Sequence, residues 1–154
     1  MRIRIATADD LELLIALRLD FFRANSVTLT PEQKDAITGQ LRSYIPKHLA
    51  ESDFIAVLAE ENGTVLSTAF LILVEKPANA SFPTGKTGTV LNVFTYPQYR
   101  RKGYAEKVIL ALISEAKKAG ISQLELSATK LGEPLYRKLG FTVPPEASMR
   151  LKIT

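Results

Sequence analysis

Apolar residues along the chain follow two periods, and each switch between them marks an element. Ile3 and Ile5 alternate with Arg2 and Arg4, the period of two of a short half-buried strand. Thr7 and Asp10 then stand at capping-box spacing, and Leu11, Leu14, Ile15, Arg18, Phe21 and Phe22 follow at helical intervals, predicting a first helix that ends near Asn25. Thr30-Pro31-Glu32-Gln33 repeats the start signal more strongly, with a capping Thr, Pro in the first helical position and Gln in the third. Ile37, Leu41, Tyr44, Ile45, His48 and Leu49 supply the stripe of a second helix, which Gly39 weakens by ~1 kcal/mol.

Beyond it the period returns to two. Phe54 to Glu60 and Thr64 to Val74 are β-rich runs joined through Asn62-Gly63, whose tolerance of positive φ suits a tight antiparallel hairpin. Lys76 to Gly88 reads as a loop, and loops that long inside a domain are more often functional than idle. Val90 to Tyr96 is a strand stopped by Pro97, and after Gly103 a helix runs to Ala119 and stops at Gly120. Leu124 to Leu126 is a short strand, Glu133 to Leu139 a short helix, and Phe141 to Val143 and Met149 to Ile153 are expected to close the chain as strands.

Hairpins imply antiparallel neighbours, while strand, helix, strand implies a parallel crossover. The expected fold is therefore α/β in the α+β sense: a mixed, largely antiparallel twisted sheet flanked by helices on both faces. With 154 residues, no linker and no internal repeat, residues 1–154 read as a single domain.

Composition narrows the classes. Zero cysteines exclude disulfides, thiolate zinc sites and a cysteine nucleophile. The residues after Met1 lack the apolar core of a secretion signal, and no stretch approaches the ~20 apolar residues of a membrane span. A cytoplasmic protein with no membrane partner is expected. A net charge of +4 suits a small anionic ligand better than a nucleic acid, whose binders group many cations on one face. The lone histidine, His48, lies on a helical stripe and reads as a rim residue of the core. No group of residues has metal-ligand spacing.

The one dense cationic cluster, Arg100-Arg101-Lys102, lies where the strand ending in Phe94 and Thr95 gives way to the helix after Gly103. The first N–H groups of that helix lack intrahelical partners and the dipole adds roughly half a positive charge there, which makes an anion site. Gly103 and Ala105 are small enough for a ligand to approach the backbone. An ordinary strand-to-helix turn with solvated basic residues is the competing reading. Gly85-Lys86-Thr87 fails as a phosphate loop, because Ala80 stands where the motif requires glycine and a strand follows it. No G-x-G-x-x-G occurs, so a dinucleotide site is unsupported.

Arg100-x-x-Gly103-x-Ala105 after such a strand resembles the acetyl-coenzyme A signature Q/R-x-x-G-x-G/A of the GNAT superfamily of N-acetyltransferases. About thirty residues later, Tyr136-Arg137-Lys138-Leu139-Gly140-Phe141 is similar to the segment where that family carries a tyrosine just before a helix-ending Leu-Gly-Phe. The motifs cover residues 89–141. The resemblance implies that acetyl-CoA is the co-substrate, that the amides of Arg101, Lys102, Gly103, Tyr104 and Ala105 hold its pyrophosphate beside Arg100, and that the backbone of Phe94 and Thr95 pairs with the pantetheine arm. It further implies that Tyr136 faces the cofactor sulfur, where a core tyrosine is the other reading. Phe21, Phe22 and Arg23 fall where the family commonly lines its acceptor pocket, and helix packing explains the two phenylalanines equally well.

The chemistry then needs a neutral amine, a donor for the oxyanion and a proton for the leaving thiolate. An ammonium of pKa ~10.4 is neutral about once in 2,500 at pH 7, an obstacle on the order of 4 to 5 kcal/mol. A thiol near ~8.5 and a phenol near ~10 differ by only ~2 kcal/mol, so Tyr136 can act as general acid. The oxyanion donor is sought among free N–H groups from Asn92 to Thr95. Some family members place a glutamate on the strand before this turn, yet Thr89 to Tyr96 holds no carboxylate; Glu75, at the end of the preceding strand, is a substitute, and water relays or an amine that arrives already neutral would also serve. Two further departures are Thr129 where asparagine is frequent and Gly132 where alanine is.

The expected activity is direct acetyl transfer in a ternary complex from acetyl-CoA to a small-molecule or peptide amine, without nucleic-acid or membrane partners. The alternative is a non-catalytic binding module for an acyl-CoA or phosphorylated metabolite. A homodimer stays open, with the Lys76 to Gly88 loop available to a substrate or a subunit partner.

Overall fold

The computed structural model describes all 154 residues. Five strands form one sheet in sequential order: β1 (Arg2–Ile5), β2 (Phe54–Glu61), β3 (Thr64–Glu75), β4 (Lys86–Thr95) and β5 (Gln123–Glu125). The first four are antiparallel neighbours, whereas β5 runs parallel to β4 because helix α3 (Tyr104–Lys118) carries the chain across the sheet between them. Helices α1 (Leu11–Ala24) and α2 (Pro31–Glu51) complete the other layer, and α4 (Glu133–Lys138) follows β5.

Alternation along the central strands explains the two-sided core. Ala56 and Leu58 of β2 join Leu14, Leu17 and Ile45 of α1 and α2, while Val57 and Ala59 turn to Val108, Ile109 and Leu112 of α3. The expected mixed sheet with helices on both faces is what forms. Its local signals hold as well. Gln33 N donates to Thr30 Oγ1 at 3.1 Å and Thr30 N to Gln33 Oε1 at 2.9 Å, and Asn62 and Gly63 turn the hairpin at φ of 50° and 76°.

Two boundaries differ. β4 begins at Lys86, not Val90, because the residues that read as loop are already paired: Glu75 with Lys86 on one side, Thr87 with Gln123 on the other. Gly88 lies inside that strand for want of space, since a Cβ there would meet Leu124 Cδ2 at 2.7 Å and Leu71 Cδ1 at 2.8 Å. The closing strands Phe141 to Val143 and Met149 to Ile153 do not form. Residues 142–154 make no hydrogen bond to the rest of the chain, and Val143, Met149, Leu151 and Ile153 are 70 to 90% exposed. Pro144 and Pro145 lack N–H donors, so neither can donate to a sheet ladder at the start of this segment.

Candidate active site

After β4 the chain makes a single 3₁₀ turn (Pro97–Tyr99) and a bend in which Arg101 and Gly103 adopt left-handed φ of 62° and 83°. Two left-handed residues so close together turn successive amides inward, and at Arg101 this costs roughly 1 kcal/mol. None of the amides from Arg101 through Glu106 finds an acceptor within the chain; Lys107 N is the first to do so, to Gly103 O at 3.2 Å. They open onto the N-terminus of α3, where the dipole is positive. The side chains of Arg101 and Lys102 are exposed, whereas Arg100 folds back so that its Nε donates to Thr95 O at 3.0 Å. No atom lies within 4 Å of where a Cβ of Gly103 would be, so the bend faces open space.

A fork in the sheet leads away from this cradle. β4 pairs with β5 only from Thr87 to Thr89, and its edge beyond is unpaired on that side. Opposite Ala69 the ladder with β3 is interrupted by a bulge in which Asn92, almost fully buried, takes φ of 54°. Thr95 O, on the open side, accepts from Arg100 Nε and keeps one further acceptor site for an extended ligand, whereas Phe94 O faces β3 and accepts from Ser67 Oγ at 3.1 Å.

Tyr136 stands on α4, edge-on to Phe141 at 5.8 Å between ring centroids. The ring lies under the Gly132 turn, where a Cβ would come within 3.0 Å of Tyr136 Cε2; glycine in place of the family's frequent alanine is thus a matter of room. Burial pushes its phenol above the usual value. Its hydroxyl has no partner in the chain, and it is not among the sealed polar atoms, Thr87 Oγ1 being the one such atom left unpaired. Thr129 Oγ1, where asparagine is frequent, accepts from Gly132 N at 3.2 Å and so serves the start of α4.

An anion cradle, an open strand edge and a free phenol on α4 thus lie along one side of the fork, and residues 14–141 match the acetyltransferase (GNAT) family. The chain belongs to that family. Its reaction is acetyl transfer from acetyl-CoA to an amine. A predicted acetyltransferase from Clostridium acetobutylicum, solved with acetyl-CoA, superposes with a TM-score of 0.89 at 29% identity over 99% of this chain and 96% of that one. A GCN5-related N-acetyltransferase from Ralstonia eutropha gives 0.82 at 28% identity, covering 97% of each chain. An aminoglycoside acetyltransferase from a soil metagenome, solved with sisomicin, shares the fold at a TM-score of 0.75 and 14% identity, over 99% of this chain and 95% of that one. No curated protein matches.

For this GNAT chain the structure separates Glu75 from the fork and brings there residues the pattern did not show. Glu75 is exposed and pairs with Lys86, five residues, or ~17 Å, along the sheet from the Phe70–Leu91 pair. It is therefore not at the fork. Glu125 is: it faces Thr89 at the last parallel pair, and its Oε1 accepts from Thr89 Oγ1 at 3.4 Å and meets Lys76 Nζ at 3.5 Å. On the α1 side of β4, Asn92 Oδ1 accepts from Arg18 Nη1 at 3.1 Å, and Asp20 Oδ2 accepts from Tyr96 Oη at 2.5 Å. Burial and the Asp20 carboxylate raise the Tyr96 phenol far above its ordinary range. Arg18 and Asp20 sit on a helix whose apolar period accounts for the sequence there, so no local signal distinguishes them. Phe22, Arg23 and Lys34 line a cavity of about 240 Å³ between α1 and α2. His48 Nδ1 bonds Asp53 Oδ1 at 2.7 Å with its ring 4.2 Å from that of Tyr44, as a rim residue would.

Proposed function

We propose that the amides of Arg101 to Ala105 hold the diphosphate of acetyl-CoA and that the open edge of β4, through Phe94 and Thr95, aligns its extended arm toward the fork. The observation that carries this reading is the run of unpartnered amides at the start of α3, facing open space. At the fork a free N–H of the Asn92–Thr95 stretch donates to the oxyanion that develops at the thioester carbonyl. Tyr136 gives its proton to the leaving thiolate, a role that its burial favours because the phenol stays protonated. Glu125 takes the proton of the attacking amine, directly or through water. Attack is direct, in a ternary complex, on an acceptor that is a small molecule or a peptide.

Gly103→Glu tests the cradle, since it forces a side chain into left-handed φ and brings a carboxylate to the diphosphate. Titration calorimetry is expected to show acetyl-CoA affinity reduced at least tenfold by this change. Equal affinity in the two proteins would remove the cradle and with it the assignment of the site.

The protein is proposed to work in the cytoplasm without membrane or nucleic-acid partners. No helix is long and apolar enough to cross a membrane, and the basic cluster is accounted for by the cradle. It is also proposed to act as a homodimer, because residues 142–154 lack a partner in their own chain while β5 has a free edge. Nothing in the comparisons supports the non-catalytic alternative.

A further inference from the structure

Arg18 is set apart from the other cations of the chain. Arg2, Arg4, Arg23, Arg42 and Arg137 each face a carboxylate, and Arg100 to Lys102 are exposed at the cradle. Arg18 is partly buried, yet no carboxylate meets it, and burial alone lowers its affinity for its proton. A desolvated charge is ordinarily paired, because an unpaired one is costly. Asp20, two residues along α1, is committed to Tyr96 and Arg23 instead.

Neutral groups fix the position of Arg18 without neutralising it. Its guanidinium lies 4.5 Å from the centroid of the Phe22 ring and 5.8 Å from that of Phe21, and its Nη1 donates to Asn92 Oδ1. Asn92 is in turn held at Leu17 O through Nδ2 at 3.5 Å, from a backbone in left-handed φ. Left-handed φ at a buried bulge is retained where the surroundings require it. The other guanidinium nitrogens make no hydrogen bond, and none is a sealed, unpaired atom, so their donors reach an opening.

That opening lies beside the reaction centre. Asn92 belongs to the stretch of β4 whose edge is unpaired past Thr89, and Phe22, under the guanidinium, also lines the 240 Å³ cavity between α1 and α2. From these positions we infer that Arg18 is an acceptor-recognition residue: it binds an oxyanion, a carboxylate or phosphate, carried by the amine substrate close to the amino group. The inference rests on the acetyltransferase reading and narrows it to acceptors that bear their own negative charge.

The test uses paired acceptors of equal size: α- and ω-amino acids against their carboxamides, with aminoalkyl phosphates as a third arm. Wild-type kcat/KM is expected to favour the anionic member at least tenfold, with the carboxylate and phosphate arms showing which oxyanion is preferred. In Arg18→Gln that ratio should fall toward one, with acetyl-CoA affinity unchanged and Arg18→Lys retaining part of the preference. A second readout avoids turnover: N-acetylated acids and their amides are titrated into the protein with coenzyme A present, and the same loss of preference is expected. Wild-type protein that treats acids and amides alike, or an Arg18→Gln variant that keeps the preference, overturns the inference while leaving acetyl transfer intact. Failure to bind acetyl-CoA at all would instead strike the underlying reading.

Discussion

The proposed acid and base are single residues, each set by its surroundings. The Tyr136 hydroxyl has no hydrogen-bond partner in the chain, and burial holds its phenol above ~10, so it remains a proton donor throughout the neutral range. Tyr136→Phe keeps the ring that packs on Phe141 and removes only the proton. It is expected to lower kcat by about 10² or more with acetyl-CoA affinity unchanged. Because the shift is upward, the wild-type rate should show no alkaline fall due to this phenol until the pH passes ~10. Glu125→Gln should differ in kind: raising the pH restores part of its lost rate, because the amine then arrives already neutral, whereas Tyr136→Phe gains nothing. Stopped-time assays of thiol release across pH distinguish the two profiles. A Glu125→Gln variant with wild-type kcat would return the base to water.

At the scale of elements, ion pairing fixes β1 to the start of α1. Arg4 Nη1 and Nη2 donate to the two oxygens of Asp10 at 2.8 Å each, and Asp10 Oδ2 also accepts from Thr7 N at 2.8 Å. The Arg4 guanidinium holds the Asp10 carboxyl below its ordinary range. A depressed carboxylate contributes stability that is present above the unfolded pKa of ~3.9 and lost as pH falls through the folded one. Asp10→Asn should therefore cost about 1 to 2 kcal/mol at neutral pH, with the gap from wild type closing as the solution is acidified. Chemical denaturation at a series of pH values reads this directly. The capping boxes at Thr7 and Thr30 and the Asn62-Gly63 turn were legible in the sequence because each is a contact among residues three apart or fewer. The left-handed Arg101, the fork after Thr89 and the Asn92 bulge were not, for they depend on how β4 and the turn after it are placed in the fold, which leaves no period in the chain. Gly88 misled for a related reason: its glycine answers to Leu71 and Leu124 across the strands, and locally it looks like a loop.

For the whole molecule, the decisive feature is the sheet's unfinished edge. Residues 149–153 alternate Met149, Leu151 and Ile153 with Arg150 and Lys152, a strand pattern with no strand beside it, and the apolar members are more than 80% exposed. β5 has a partner on one side only, flanked by half-buried Leu126, Leu135, Leu139 and Phe141. A strand pattern without a partner and a β5 edge without a neighbour on one chain are satisfied together when two copies exchange tails about a two-fold axis, which closes the assembly at two subunits. Light scattering behind size exclusion is expected to give a dimer for the full chain. Leu151→Glu, which puts a charge on the apolar side of the strand, and a chain ending after Phe141 should both give monomers. Because the cradle amides of Arg101 to Ala105 lie on α3 and its preceding turn, the monomers should still bind acetyl-CoA. A full-length chain that is monomeric at every concentration, or a Leu151→Glu dimer, would show that the tail is not the subunit contact.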